Sequence, residues 1–193
     1  MRHPRVIVNA TPIGATGARE VEAHGEKHAL TPLGDAVNGP LYWEQPRVFQ
    51  REWRLVSDHG EHLLIHGHGI TRRKLVAETP QATWMLTRSW GGGVTLADPE
   101  GHELASVPRG WFGRCRLELP SGPTLQWRRR WFNDRVLEDF EGHELLRLRR
   151  RFAFLRFQAA VELADAVRQR TDLSLLLAVT FFAWLSEPRG HAH

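Results

Sequence analysis

The chain has 193 residues, 26 Lys and Arg against 22 Asp and Glu, a hydrophobic content of 41% and one cysteine, Cys115. That length fits one domain with an extension, and so much apolar side chain excludes a wholly disordered chain. A lone cysteine excludes an intrachain disulfide framework and a cysteine-rich zinc site, so a reducing compartment and no disulfide-linked partner are expected. Met1 to Ala10 has no apolar stretch followed by a small-residue cleavage site. No run reaches the ~18 to 20 apolar residues of a spanning helix, which predicts a soluble, cytoplasmic protein.

Residues 1–40 hold four of the eleven prolines and five of the seventeen glycines, without a sustained period of 3.6 or 2.0. Beyond one short strand over Arg5 to Asn9, this composition predicts an irregular N-terminal arm, flexible or draped on the surface. Val8 to Gly14 is similar to the Asn-Ala-Thr-Pro-x-Gly loop of shikimate dehydrogenases, but the βαβ units and glycine fingerprint such an enzyme needs are missing.

From Leu41 the period becomes two, with Gly, Pro, Asp or Asn every 8 to 12 residues or so, which is the pattern of an all-β domain. Trp84 and Leu86, Val94 and Leu96, Leu117 and Leu119, Leu125 and Trp127, and Leu146 and Leu148 alternate with polar or small neighbours. Each strand therefore has one dry face and one wet face. Asp98-Pro-Glu-Gly-His-Glu-Leu104 recurs 41 residues later as Asp139-Phe-Glu-Gly-His-Glu-Leu145, and Asp58-His-Gly-Glu-His-Leu63 is a looser copy. In such a segment Asp caps the turn and Gly takes a positive φ, so these are hairpin turns and not calcium loops, which need ligands spread over about twelve residues.

Leu173 to Leu185 is apolar on every side, with Thr171 or Asp172 placed as N-cap. A thirteen-residue helix is only ~20 Å long, so burial inside protein is favoured over a tail anchor or a partner-binding helix. A barrel needs something to fill its lumen, and this helix suits that place.

The Asp-Pro-Glu-Gly and Asp-Phe-Glu-Gly turns, followed by this helix, make Leu41 to Leu185 resemble the tubby C-terminal-like superfamily, which includes LURP-one-related proteins and phospholipid scramblases. The resemblance implies a mainly β fold: a closed antiparallel barrel of about twelve strands around a buried hydrophobic C-terminal helix. On that reading residues 1–40 are the arm, 41–188 the barrel with its central helix near 172–185, and 189–193 a tail. The cysteine-rich palmitoylation stretch of the scramblases is missing here, as is a full-length membrane-spanning tail.

The charge is concentrated in one region. Residues 109–156 carry twelve Arg against six carboxylates, whereas residues 1–50 balance five against five. By parity Arg128 and Arg130 share one strand face, and Arg147, Arg149 and Arg151 share another, pointing away from Leu146 and Leu148. On neighbouring strands they would form a cationic patch for phosphates, with Trp131 and Phe132 at a membrane interface. The alternative is a solvated exterior balanced by Glu138, Asp139, Glu141 and Glu144; Trp111-Phe112 and Trp131-Phe132 would then be core. His62, His66 and His68 share a parity, but Gly67 and Gly69 interrupt the strand and no carboxylate or thiolate matches, so no metal is expected.

There is no Gly-x-Ser-x-Gly elbow, no Walker loop and no HExxH, so neither catalytic residues nor a cofactor are assigned. The expectation is a non-enzymatic barrel binding anionic phospholipid headgroups, cytoplasmic with peripheral membrane association. The alternatives are a protein-interaction or scaffold barrel whose arm docks a partner, and a small-molecule binding or cyclase-type barrel. Nucleic acid ranks below lipid because the net charge of +4 is modest and no reading motif occurs.

Overall fold

A computed structural model describes residues 29–47, 50–67, 73–108, 114–120, 122–130, 134–153 and 156–187. The short strand expected over Arg5 to Asn9, most of the arm, His68, Trp111, Phe112, Trp131, Phe132 and the 189–193 tail lie outside these residues.

Twelve antiparallel strands follow one another as a meander: β1 (Leu41–Glu44), β2 (Glu52–Ser57), β3 (Gly60–Gly67), β4 (Lys74–Glu78), β5 (Thr83–Arg88), β6 (Val94–Ala97), β7 (Glu103–Val107), β8 (Arg114–Leu117), β9 (Leu125–Arg129), β10 (Asp134–Glu138), β11 (Glu144–Ala153) and β12 (Arg156–Leu163). The sheet runs β7 back to β1, then β12 back to β8, so β1 pairs with β12 and the last gap lies between β7 and β8. Ser106 and Glu118 bridge that gap by exchanging backbone hydrogen bonds of 3.0 and 2.8 Å. The next hydrogen-bonding pairs along this seam, 108 with 116 and 104 with 120, each contain a proline with no N–H to donate. The barrel is therefore nearly closed, with a thin seam.

Alternation sends Leu41, Trp43, Leu55, Leu63, Ile65, Leu86, Leu96, Trp127, Leu146 and Leu148 into one core. After the short helix α1 (Asp165–Arg168), the helix α2 (Leu173–Ser186) enters this lumen. Its buried residues are distributed all round, from Leu173 through the continuous run Leu176–Ala183 to Ser186. The hydroxyl of Thr180 is satisfied by donating to the Leu176 carbonyl at 2.6 Å. Phe181 stacks on Trp43 with ring centroids 4.0 Å apart, and Phe157, Trp53 and Trp184 meet it edge-on. The helix expected over 173–185 is thus the core of the barrel. No helix of the described residues is long and apolar enough to cross a membrane.

A meander of this kind has two ends. The β2–β3, β4–β5, β6–β7, β8–β9 and β10–β11 connections lie at one, here called the turn end; the β1–β2, β3–β4, β5–β6, β7–β8, β9–β10 and β11–β12 connections lie at the loop end. Residues 29–40 pack at the turn end. Thr31 N–H donates to Glu61 O at 2.7 Å, and a 3-10 turn, Gly34–Asn38, buries Ala36 in the core. Arg168 of α1 ties this turn down through the Val37 carbonyl at 2.8 Å.

The repeat is a turn with a bulge. Asp98 accepts the His102 N–H on Oδ1 at 2.7 Å, and Asp139 accepts that of His143 at 2.8 Å. Gly101 and Gly142 take φ of 94° and 89°. The registers Leu96↔Ala105 with Ala97↔Glu103, and Leu137↔Leu146 with Glu138↔Glu144, make Leu104 and Leu145 the extra residues. In the looser copy the register Leu55↔Leu63 with Val56↔Glu61 gives that position to His62.

Candidate functional site

The register brings the five predicted arginines onto one outer face spanning β9 to β12. Val136 of β10 pairs with Arg128 on one side and Arg147 on the other, and Asp134 pairs with Arg149. Carboxylates interleave with them. Arg128 binds Glu138 through Nη2, and Arg130 lies 3.6 Å from Glu138 and 3.4 Å from Glu144. Arg147 donates to Glu144 at 2.7 Å and reaches Glu162 at 3.8 Å. Arg149 lies 3.3 Å from Asp134 and 3.4 Å from Glu162. The hydrogen bond to Glu144 is the main reason the Arg147 guanidinium holds its proton more firmly than usual. Four guanidinium groups thus meet four carboxylates, and this part of the wall is neutral. Arg151, further along β11 and exposed, stands 4.7 Å over the Tyr42 ring.

Charge separates along the barrel axis instead. Counting each connection with the two strand residues on either side, and the end of α2, the described side chains of the loop end include Arg47, Arg51, Arg73, Lys74, Arg88, Arg128, Arg129, Arg130 and Arg135, against Glu44, Glu52, Asp134 and Glu187. The turn-end connections carry Asp58, Glu61, Glu78, Asp98, Glu100, Glu103, Glu118, Glu138, Asp139, Glu141 and Glu144, against Arg116 among the described side chains, and the segments packed there add Asp35, Asp165 and Asp172 against Arg168 and Arg170. Arg150 and Arg151 approach the loop end along β11 and are exposed. One end of the barrel is therefore cationic and the other anionic.

The lumen closes at the loop end on an ion pair. Arg135, buried on the inner face, donates from Nε to Glu187 at 2.7 and 2.8 Å and binds it again through Nη2. Glu187 is the C-cap of α2, where a cation also meets the negative end of the helix dipole.

Two other clusters resolve as structure. Buried His62 places Nδ1 3.1 and 3.2 Å from the Thr31 and Pro32 carbonyls and Nε2 2.7 Å from Ser57 Oγ, which clamps residues 29–33 to β3. His66 pairs separately with Glu78 at 3.0 Å. Asp139, Glu141 and His143 each offer a ligand atom within 4.8 Å of the others, but the Asp139 to His143 contacts are those that close the equivalent Asp98 turn.

Among the described residues the most exposed large apolar side chains are Trp90 at 90%, at the loop end, and Phe140 at 83%, at the turn end. The guanidinium of Arg73 lies 3.2 Å from the Trp90 ring centroid. Trp90, Arg73, Arg135 and Glu187 were not marked by any motif. The axial charge separation was present in the sequence, and assigning successive connections alternately to two ends would have found it. Comparison with protein-family models, with curated proteins and with solved structures finds no match to this chain.

Proposed function

We propose that this chain is a non-enzymatic barrel of the tubby C-terminal-like kind that binds anionic phospholipid headgroups at a membrane surface through its loop end. The observation that carries this reading is the axial separation of charge. A cationic end opposite an anionic one orients the molecule toward a negative surface and repels the wrong approach. Each Lys or Arg close to an anionic leaflet contributes on the order of 1 kcal/mol, so a few exposed side chains suffice for reversible binding. Arg47, Lys74, Arg130, Arg150 and Arg151 are exposed at or near that end. Of the five arginines expected to contact phosphate, Arg130 and Arg151 lie closest to it. Arg128, Arg147 and Arg149 hold the wall together through their carboxylate partners, and Arg130, though exposed, shares Glu138 and Glu144 with them.

The filled lumen is in keeping with surface binding in preference to a ligand held inside. The test is neutralisation at each end. Replacing Arg47, Lys74 and Arg151 together by Gln is expected to abolish co-sedimentation with phosphatidylserine vesicles, while Arg116→Gln at the turn end leaves it intact. Equal binding by the triple variant and the parent would refute the assignment of the loop end.

A further inference from the structure

The geometry points to Trp90 as an interfacial anchor, which enters the headgroup layer of an anionic bilayer while Arg73 and its neighbours hold the lipid phosphates. This inference rests on the phospholipid reading and adds to it the apolar contact that electrostatics alone does not supply.

Trp90 sits on the β5–β6 connection, which is closed by Ser89 N–H donating to Gly93 O at 2.9 Å and Gly93 N–H donating to Ser89 Oγ at 3.0 Å. Gly91, Gly92 and Gly93 complete the tip, with Gly92 at φ 90°. Beyond Ser89 the tip therefore carries a single side chain, and the glycines leave it unobstructed. The indole is 90% exposed even though a guanidinium covers one face. Such exposure wastes the large apolar area of a tryptophan in water, whereas at a headgroup boundary the ring is buried and its N–H stays wet.

The Arg73 guanidinium at 3.2 Å gives the ring a defined orientation and places a phosphate-binding fork beside it. The Arg88 N–H donates to the Arg73 carbonyl at 2.8 Å, so the β4–β5 pairing continues to the base of this connection and holds the Arg73 backbone in place. Phe140 provides the internal contrast. It is almost as exposed, but it projects from the Asp139 to His143 turn among carboxylates, where an anionic surface would be repelled.

The test compares Trp90→Ala, Phe140→Ala and the parent for partitioning onto vesicles with and without phosphatidylserine, with far-ultraviolet circular dichroism to establish folding. Full burial of a large apolar side chain is worth about 1.5 to 3 kcal/mol, so Trp90→Ala should weaken partitioning by about tenfold or more, with Phe140→Ala unchanged. The fluorescence lost in Trp90→Phe relative to the parent should be the component quenched by lipids brominated near the headgroup. A parent that binds anionic vesicles while Trp90→Ala binds equally well would overturn the anchor and leave the phospholipid reading standing. A parent that ignores every vesicle would overturn both. Binding to single-stranded oligonucleotides but not to vesicles, with loss in Trp90→Ala, would mean that the indole is a stacking platform and would also refute the membrane assignment.

Discussion

Asp98 and His102 close the tip of one hairpin with a pair whose titration is set by its own geometry. Reduced hydration at the Asp98 carboxyl pulls its pKa upward, but the His102 side chain and backbone N–H outweigh this and hold it below the ordinary carboxylate range. The hydrogen bond to Asp98, followed by its charge, raises His102 above an ordinary histidine. The contribution of the raised histidine is complete below about pH 6.5 and is lost as pH rises through its folded value. That of the lowered carboxylate is lost as pH falls through its own. The pair therefore supports the turn best in mildly acidic solution, and an NMR titration should find His102 above 6.5, returning toward it in Asp98→Asn. A His102 midpoint unmoved by that substitution would contradict the pairing. At the other end, Glu187→Ala should cost about 2 kcal/mol in urea denaturation, because Arg135 is then left buried without its carboxylate. Replacing both residues by apolar side chains should recover most of that loss.

Among the elements, the hairpins were the most legible in the sequence, since Asp-x-x-Gly-His carries its own turn chemistry. Gly101 and Gly142 have open space where a Cβ would sit, so substitution there is a matter of backbone conformation and not of collision. Gly101→Ala and Gly142→Ala are each expected to cost about 1 kcal/mol, roughly additively, with Asn at the same positions milder. Helix α2 was equally legible, because an all-round apolar run of this length has few places to go. Phe181→Ala should destabilise by about 3 to 5 kcal/mol, since the ring touches Trp43, Trp53, Phe157 and Trp184. A loss below about 1 kcal/mol in a denaturation midpoint series would place the helix outside the core. The ion pairs of the β9 to β12 wall were only partly legible in the sequence, which offered Glu138 and Glu144 as balancing carboxylates but not their partners, for a physical reason. Parity tells which arginines share a strand face, but only inter-strand register reveals that Glu138, Glu144, Glu162 and Asp134 fall between them. The clamp of His62 on Thr31 and Pro32 was hidden likewise, since it joins residues about thirty positions apart through a bulge.

At the scale of the whole molecule, the barrel, its meander and the filling of its lumen follow from alternation and from one helix apolar on every face. The polarity along its axis follows from placing acidic turns at one set of connections and basic residues at the other. On the β9 to β11 wall Arg128 and Arg130 reach Glu138 and Glu144, so the polarity is expressed by the field of the whole protein, and on the proposed reading the orientation on a membrane would belong to the molecule and not to any single arginine. Salt should weaken that binding, because exposed charges are screened beyond about 8 to 10 Å at physiological ionic strength. The most direct measurement is flotation of the full chain with vesicles of graded phosphatidylserine content at two salt concentrations. The account predicts recovery with the floating lipid that rises with the anionic fraction and falls with salt. Recovery in the bottom fraction at every lipid composition would contradict it.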